Sequence, residues 1–401
     1  MKVLFTTPVL EHPAAGGPQL RIENTIKALS SVTELSIIYQ ANHPCTIVDE
    51  TNNFFKQFAD QYLTIYKYPR NKYLRFILRV IHRIFSIDYD YQSKTIIDFV
   101  KLNNIDCIWF GYGNISYSLI KTIKKTLPDI NVVCDTDSVW SRFILRELPF
   151  AKGRRKRMIE KSGALKQKEE NLWVNLCEVT TAVSEFDAEY YRSIADDTSR
   201  IHVFSNVIDL DEYSSIPDKP EDFKNPSIFL AGSYGANSAM NMAANWILDE
   251  VLPIVRRSCP NIHFYIVGKR SDIEFGHQRS DSVTVTGMVD TVLPYLCHTN
   301  VALVPLMFES GTRFKILEAG ACKTPIISTT LGAEGIPVIH DKEVLIADKA
   351  INFAKEIVNV LNDSELSNKL TKNCYDLISR KYSLTVLEQE AKKILEYLKN
   401  V

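Results

Sequence analysis

The sequence predicts an α/β protein of two Rossmann-like parallel-sheet domains, and three observations support this fold class. Short β-branched and apolar runs alternate with helical stretches throughout, which is typical of parallel sheets covered by helices. At 401 residues, the chain is too long for one core and fits two domains of about 200 residues each. A polar, proline-bearing stretch at 209–225 separates the halves and is the expected hinge.

The predicted elements follow in chain order. The strands predicted in the first half are Lys2–Thr6, Glu34–Tyr39, Asp106–Phe110, Asn131–Cys134 and Glu178–Ala182. Those predicted in the second half are Ser227–Ala231, His263–Val267, Val283–Thr286, Val301–Pro305 and Pro325–Thr329. The clearest predicted helices are Arg21–Ser30, Lys156–Cys177 and Leu384–Leu398.

Composition narrows the classes of function. Apolar residues at 45% and charged residues at 24% are ordinary for a folded soluble protein, and a net charge of −1 disfavours a dedicated nucleic-acid binder. The eight cysteines form no Cys-x-x-Cys pair, so reduced cytosolic thiols are expected rather than a disulfide framework. No apolar run approaches the roughly 20 residues that span a bilayer. The N-terminus reads as a first β-strand rather than a signal peptide, and we expect a cytoplasmic protein.

The most informative segment is a strand, a turn and a helix in the second half. The apolar run 301–308 is a buried strand, and the chain turns at Ser310 and Gly311 into a helix. Three apolar side chains of this helix share the face expected to pack on the sheet, namely Phe314, Leu317 and Ala321.

The polar residues of this segment suit a phosphorylated ligand. The turn at Gly311 and Thr312 precedes a helix, where free N–H groups and the helix dipole favour a phosphate. Arg313, expected in the first helical turn, and Lys315 add positive charge, and Glu318 one turn further can hold a ribose diol. The alternative is an amphipathic helix whose charged side chains are only solvated.

Glycines follow the first predicted strand of each half. Gly232 ends a strand and Gly16 and Gly17 lie in the loop after another, so each allows the backbone to approach a diphosphate. The alternatives are a plain strand-ending turn and a flexible surface loop.

The segment from Gly311 through Gly335 resembles the donor-site signature of family-four retaining glycosyltransferases, the glycosyltransferase group 1 enzymes with a GT-B fold. Five further stretches resemble this family in the same order along nearly the whole chain. They are 1–30, 183–185, 205–209, 237 with 251–253, and 266–268.

The resemblance implies two Rossmann-like domains facing across a cleft. Residues 1–207 would form an acceptor-binding domain and residues 208–383 a nucleotide-sugar-binding domain. Residues 384–401 would form a helix that returns to the first domain.

The family carries two glutamates separated by seven residues, the first beside the sugar and the second on the ribose. Glu318 fits the second position. The first position falls on Ser310 rather than on the adjacent Glu309, and which of these two takes the role stays open.

The resemblance also implies the remaining donor contacts. The family often has an arginine and a lysine in the loop after Gly232, where this chain has Ser233 and Asn237, so Arg313 and Lys315 are the expected substitutes. The loop 287–290, which contains Val289, resembles the one that receives the nucleotide base through backbone groups. Two basic residues at another strand end are expected to line the same pocket, namely Lys269 and Arg270.

Asp135 and Asp137 have the spacing of an Asp-x-Asp metal motif, but this pattern is common and we expect no metal site. Related sequences have a histidine where this chain has Asp137. The resemblance therefore implies that Asp137 positions the acceptor hydroxyl or takes its proton.

A basic stripe in the first half suggests contact with a membrane. Its residues are Lys72, Arg75, Arg79 and Arg83, and a second basic cluster spans 153–157. A basic helix of this kind can rest on anionic lipid, giving a peripheral protein at the inner membrane face. The alternative is a helix packed on the domain core with solvated cations. No nucleic-acid-reading motif accompanies the charge, so no nucleic-acid partner is expected.

Together these features predict a retaining, metal-independent hexosyltransferase in polysaccharide biosynthesis, with a nucleotide-diphospho sugar as donor substrate and no cofactor. The acceptor would be a glycan, a lipid-linked molecule or another compound. Two alternatives remain, a catalytically weakened homologue acting as a binding or assembly partner and a GT-B sugar-nucleotide epimerase or hydrolase.

Overall fold

The computed structural model describes residues 1–14, 16–41, 49–66 and 91–401, together with Tyr73, Ile77 and Val80. These residues form two compact units. The first comprises Met1–Ser141, Glu160–Ser205 and Leu387–Val401, and the second comprises Arg142–Ile159 and Asn206–Val386. A short segment of the first half thus packs with the second unit, and the end of the chain packs with the first.

The first unit is built on a seven-stranded parallel sheet in the order β3-β2-β1-β4-β5-β6-β7. Its strands are β1 Lys2–Thr7, β2 Glu34–Ala41, β3 Gln61–Tyr66, β4 Cys107–Gly111, β5 Asn131–Asp135, β6 Val179–Ala182 and β7 Ile201–Val203. The helices of the first half that are described in full are α1 Gly17–Ser30, α2 Asp49–Lys56, α3 Tyr91–Asn103, α4 Tyr117–Thr126, α5 Trp140–Leu145, α6 Gly153–Leu176 and α7 Glu185–Ile194.

The second unit is built on a six-stranded parallel sheet in the order β10-β9-β8-β11-β12-β13. Its strands are β8 Ser227–Ala231, β9 His263–Val267, β10 Val283–Val285, β11 Val301–Val304, β12 Ile326–Ser328 and β13 Leu345–Ile346. The helices of the second half are α8 Ala239–Trp246, α9 Leu252–Ser258, α10 Ser271–Phe275, α11 Leu293–Leu296, α12 Phe314–Ala321, α13 Ala350–Asn362, α14 Ser364–Lys381 and α15 Leu384–Leu398. A π-helical turn, Ile247–Val251, joins α8 to α9.

The predicted fold class, two parallel-sheet Rossmann-like domains, is confirmed. Central strands are recognisable in the sequence because both of their faces are covered, so they are continuous apolar runs. The sequence interpretation missed three strands that all lie at sheet edges, β3, β7 and β13. Strand β3 alternates exposed and half-buried residues along most of its length, which weakens its apolar signal.

The helix of the most informative segment, α12, packs as predicted. Phe314, Leu317 and Ala321 are buried. The helix begins at Phe314, so Arg313 is its N-cap and not, as predicted, a residue of its first turn. Among the described residues, no helix is long and apolar enough to cross a bilayer.

Candidate functional site

The turn of residues 309–313, between β11 and α12, is held at both ends by side chains from distant parts of the second unit. Arg146 Nη1 donates a hydrogen bond of 2.6 Å to the Glu309 carbonyl oxygen. At the other end, Asn206 Nδ2 reaches the Thr312 carbonyl oxygen at 3.5 Å. The conformation of this turn therefore depends on residues far away in the sequence.

The middle of the 309–313 turn is held by Arg313, which is 4% exposed. Its guanidinium donates to the Ser310 carbonyl oxygen at 2.7 Å and also to the Gly311 carbonyl oxygen. Its Nε lies 3.4 Å from a carboxylate oxygen of Glu309, whose side chain is 29% exposed. Arg313 thus lies inside the turn and brings positive charge to it.

These contacts determine where the N–H groups of the 309–313 turn face. In a planar trans peptide, a carbonyl and the following N–H point in opposite directions. Because the carbonyl oxygens from Glu309 to Thr312 face protein donors, the following N–H groups face away from those donors. The N–H groups of Ser310 and Gly311 make no hydrogen bond in the described part of the chain. Gly311 has a φ of 85°, a conformation that favours glycine.

Ser310 adds a second polar group to the turn. It is 8% exposed, and its Oγ has no hydrogen-bond partner among the described residues. A buried hydroxyl without a partner is costly, because its desolvation is not compensated. The N–H groups and this hydroxyl together are suited to an anionic, oxygen-rich ligand.

Lys315 and Glu318 both line a small pocket of the second unit. The other lining residues come from β8, β11 and the region of α11, and they include Ala231 at the end of β8. The predicted common face of Lys315 and Glu318 is therefore present. The pocket has an apolar wall on the sheet side and two charged side chains on the helix side.

Glu318 is half-buried, and Tyr213 Oη donates a hydrogen bond of 3.3 Å to its Oε1. Burial raises the pKa of Glu318, while the positive charge of Lys315 and the Tyr213 hydrogen bond act in the opposite direction. A carboxylate in such a place is a strong acceptor for a paired hydroxyl ligand.

Three strand-end loops of the second unit are joined through their backbones. Gly268 N–H donates to the Gly287 carbonyl at 3.0 Å, and Gly232 N–H donates to Val267 at 3.0 Å. A Cβ on Gly268 would lie 2.3 Å from the Gly232 carbonyl oxygen, so only glycine fits there. The loops after β8, β9 and β10 therefore lie side by side.

The predicted pocket residues of these loops have different surroundings. Arg270 pairs with Glu274 at 2.9 Å, and its side chain is 46% exposed. The Lys269 carbonyl accepts from Tyr234 N–H at 2.9 Å, and the Lys269 side chain is exposed. Val289 is half-buried beyond β10. These residues lie at the carboxyl ends of β9 and β10, the edge where parallel sheets bind ligands.

In the first unit, Gly16 precedes α1 and Gly17 is its first residue. One helical turn later, Arg21 is 3% exposed and forms an ion pair with Asp135, which is fully buried. Asp135 Oδ1 also accepts a hydrogen bond of 2.6 Å from Thr181. Of the two carboxylates in the Asp-x-Asp pattern, Asp135 is thus engaged by an arginine.

Asp137, the other carboxylate of that pattern, is held by two donors. Asn114 Nδ2 lies 2.6 Å from its Oδ1 and Trp140 Nε1 lies 2.9 Å from the same oxygen. Burial raises the pKa of Asp137, and these hydrogen bonds oppose the shift. A carboxylate with a raised pKa is a better proton acceptor than an ordinary aspartate.

The basic stripe of Lys72, Arg75, Arg79 and Arg83 lies outside the described residues. Tyr73, Ile77 and Val80, from the same stretch, are described and are exposed. The second cluster, 153–157, forms the exposed start of α6.

Sequence reasoning missed three residues of the site, Arg146, Asn206 and Tyr213. Asn206 lies in a stretch quoted for its resemblance, and Tyr213 ends a short 3-10 turn, Leu210–Tyr213, just after it. Arg146 carries no local signal, because its partners Glu309 and Glu334 are more than 160 positions away.

Comparison with known proteins supports the family resemblance that the sequence indicates. Residues 225–363 match the family model described as glycosyl transferases group 1, so the expected resemblance to group 1 glycosyltransferases is confirmed. A curated relative from Klebsiella pneumoniae, an uncharacterized 44.6 kDa protein in the cps region, is 25% identical over 164 residues. That match covers 39% of this chain and 42% of the relative. The aligned stretches span less than half the length of the curated relatives.

Solved structures share the fold over the whole chain. Sucrose-phosphate synthase from Thermosynechococcus elongatus is 16% identical with a TM-score of 0.71, and the match covers 100% of both chains. HepE from Anabaena, solved in complex with UDP, is 12% identical with a TM-score of 0.69 and covers 99% of this chain and 100% of its own. These likenesses support the GT-B fold.

Proposed function

We propose that the protein is a retaining glycosyltransferase that uses a nucleotide-diphospho sugar. The observation that carries the proposal is the 309–313 turn, whose carbonyl oxygens face protein donors. The N–H groups of Ser310 and Gly311 and the Ser310 hydroxyl have no partner among the described residues and can meet a ligand. The turn leads directly into α12, whose N-terminal dipole also favours an anion. The diphosphate of the donor would bind here.

The neighbouring groups fit the other parts of such a donor. Lys315 supplies a cation beside the turn, and Glu318 would accept hydrogen bonds from the ribose diol. The base would lie at the loop that contains Val289, beside Lys269 and Arg270. The match of HepE, solved with UDP, supports a nucleotide-bound donor in this fold.

In the proposed reaction, the acceptor hydroxyl attacks the anomeric carbon on the face that the leaving diphosphate occupies. The bond from this carbon to the phosphate oxygen breaks, the new glycosidic bond forms, and the acceptor proton passes to the leaving phosphate. Lys315 and the N–H groups of Ser310 and Gly311 stabilise the developing negative charge, which is electrostatic catalysis by prearranged donors. Arg313 contributes by its charge and by holding the turn.

Asp137 in the first unit is the proposed contact to the acceptor hydroxyl. Its raised pKa makes it a better hydrogen-bond acceptor for that hydroxyl than an ordinary aspartate. Either Glu309 or Ser310 would take the role of the family's first glutamate. Glu309 is folded against Arg313, so the Ser310 hydroxyl is the better candidate for contact with the sugar.

Incubation with a panel of radiolabelled nucleotide sugars tests this function. We expect transfer to an added acceptor with the anomeric configuration of the donor retained. Hydrolysis alone or isomerisation of the donor would instead identify a hydrolase or an epimerase. Binding without turnover would identify a weakened homologue.

The proposal places the reaction in the cytoplasm, at an anionic membrane surface. One face of α6 alternates cationic and apolar side chains at helical spacing, and all six are exposed. They are Arg154, Met158, Lys161, Leu165, Lys168 and Leu172. A second copy of this face would bring like charges together, whereas anionic lipid would pair with the cations and receive the apolar side chains.

Vesicle sedimentation tests the membrane contact. Each basic residue near an anionic surface contributes about 1 kcal/mol, so changing Arg154, Lys161 and Lys168 to Gln should abolish most binding to phosphatidylglycerol vesicles. Changing Lys121 and Lys125 on α4 to Gln is the control and should change binding little. If the wild type never sediments with these vesicles, the face is only solvated.

A further inference from the structure

Arg146 makes three hydrogen bonds that connect two loops of the second unit. Its guanidinium binds the Glu334 carboxylate through Nη1 at 2.6 Å and Nη2 at 2.7 Å. Nη1 also donates to the Glu309 carbonyl at 2.6 Å. The side chains of Arg146 and Glu334 are only 21% and 19% exposed, so solvent screening of this pair is reduced.

The bond to Glu309 determines the orientation of one peptide group. With its carbonyl held by Arg146, the peptide between Glu309 and Ser310 must direct the Ser310 N–H the opposite way. If this peptide flipped, a carbonyl oxygen would replace that N–H, and an anion beside the turn would meet a negative dipole instead of a donor.

We propose that Arg146 is a positioning residue for diphosphate binding. Held by Glu334, it keeps the peptide between Glu309 and Ser310 turned so that the Ser310 N–H faces the ligand. The inference rests on the proposed function, because it assumes that the 309–313 turn binds the diphosphate. Arg146 itself would act through the turn and make no contact with the ligand.

The segment that carries Arg146 has a second anchor beside the turn. The ring of Phe150 lies 5.5 Å from the ring of Phe308, centroid to centroid, just before the turn begins. Because this contact is independent of the arginine, the segment should stay in place when Arg146 is changed. The effect of Arg146 on the orientation of the peptide between Glu309 and Ser310 can then be tested while the Phe150–Phe308 contact is kept.

Three variants test the inference by isothermal calorimetry with UDP, GDP and ADP and with the corresponding monophosphates. Arg146→Met should weaken binding of the preferred diphosphate about ten- to a hundredfold, which is the loss expected for a donor replaced by an opposing dipole. The monophosphate should lose much less. The control, Arg155→Met, removes an arginine that pairs with Glu147 in the same segment and should bind as the wild type does.

The double variant Arg146→Met/Glu334→Met distinguishes the loss of the hydrogen bond to Glu309 from the effect of leaving the Glu334 carboxylate without its cation. Replacing a paired set of charges by apolar residues usually leaves a protein folded, so this variant also covers the case in which Arg146→Met alone fails to fold. We expect the double variant to bind the diphosphate as weakly as Arg146→Met while melting near the wild type.

Two results would overturn the positioning role while leaving the proposed function intact. One is normal diphosphate binding by Arg146→Met, and the other is full recovery of binding in the double variant, which would show that only charge balance matters. If the wild type binds no nucleoside diphosphate at all, the proposed function fails and the positioning role fails with it.

Discussion

Each unit places a buried arginine at the carboxyl end of its sheet, but the two arginines have different surroundings. Arg21 in the first unit is paired with Asp135, a fully buried carboxylate. Arg313 in the second unit donates to two main-chain carbonyl oxygens and meets the Glu309 carboxylate only at 3.4 Å. The first arginine is paired with a carboxylate in the interior, whereas the second holds the main chain of a turn whose Ser310 and Gly311 N–H groups make no hydrogen bond among the described residues.

The difference shows that one type of fold can use a buried arginine at the carboxyl end of a sheet in two ways. A charge pair in the interior holds α1 against β5, and breaking it should affect stability first. An arginine that organises main-chain groups prepares a site for an outside anion, and changes there should affect binding and turnover first. The following predictions test this division.

Asp135→Ala should be the most damaging change. It leaves the Arg21 guanidinium buried without its carboxylate, which costs about 3–5 kcal/mol of unfolding free energy. Thermal or urea unfolding would measure the loss. The double variant Arg21→Met/Asp135→Leu should recover most of it, because both charges are removed together. An exposed pair, Lys369 with Asp341, is the control, and Lys369→Ala should change stability by less than about 1 kcal/mol.

A stable Asp135→Ala protein would contradict the comparison, because Arg21 would then not need its partner. The sequence could not predict this pair. Arg21 and Asp135 are 114 positions apart, and the sequence interpretation considered Asp135 only as part of a metal motif. Contacts between distant residues depend on the packing of α1 on the sheet, which local periodicity does not encode.

Lys315→Ala should reduce turnover by tens- to thousands-fold. The lysine is the proposed cation beside the leaving diphosphate, and such a contact contributes a few kcal/mol at about 1.4 kcal/mol per tenfold change in rate. Steady-state kinetics with the preferred donor would measure it. Lys323→Ala, on the Tyr375 ring in the turn after α12, is a matched control and should keep normal turnover. Near-normal turnover in Lys315→Ala would rule out Lys315 as the cation that stabilises the leaving diphosphate.

Much of this site was accessible from the sequence because it is local. The turn, α12 and the shared face of Lys315 and Glu318 all follow from one stretch of about fifteen residues and its helical period. The site residues that the sequence interpretation missed lie far from this stretch in the sequence. Arg146 and Asn206 reach the turn through tertiary packing, and Tyr213 meets Glu318 across 105 positions.

Glu318→Gln should weaken nucleoside diphosphate binding by several-fold, because an amide accepts a weaker hydrogen bond from a ribose diol than a carboxylate does. Calorimetry with the diphosphate and with its 2′,3′-dideoxy analogue separates the ribose contact from the phosphate contact. The variant should lose affinity only for the ligand that carries the diol. Unchanged affinity for every nucleoside diphosphate would rule out the ribose role.

The pH dependence gives a second test of Glu318. Burial raises its pKa above the ordinary value of 4.5, so the carboxylate form, and with it the ribose contact, is lost as pH falls through the raised pKa. Binding of the diphosphate should therefore weaken at a higher pH than for an ordinary glutamate. In the free protein the sign is opposite, since the stability contributed by the protonated group is lost as pH rises through that pKa. Glu318→Gln should remove this group's contribution to the pH dependence of diphosphate binding and to that of stability.

The smallest expected effect is that of metal removal. The proposed mechanism assigns stabilisation of the leaving diphosphate to Lys315, to the charge of Arg313 and to the N–H groups of Ser310 and Gly311. Asp135 is already engaged by Arg21. Turnover measured after treatment with EDTA should therefore equal that of the untreated protein within error. A loss that magnesium or manganese restores would instead make Asp137 a candidate ligand. It would also mean that the cations of the second unit are insufficient for the leaving group, so that the two units differ less in their use of charge than Arg21 and Arg313 suggest.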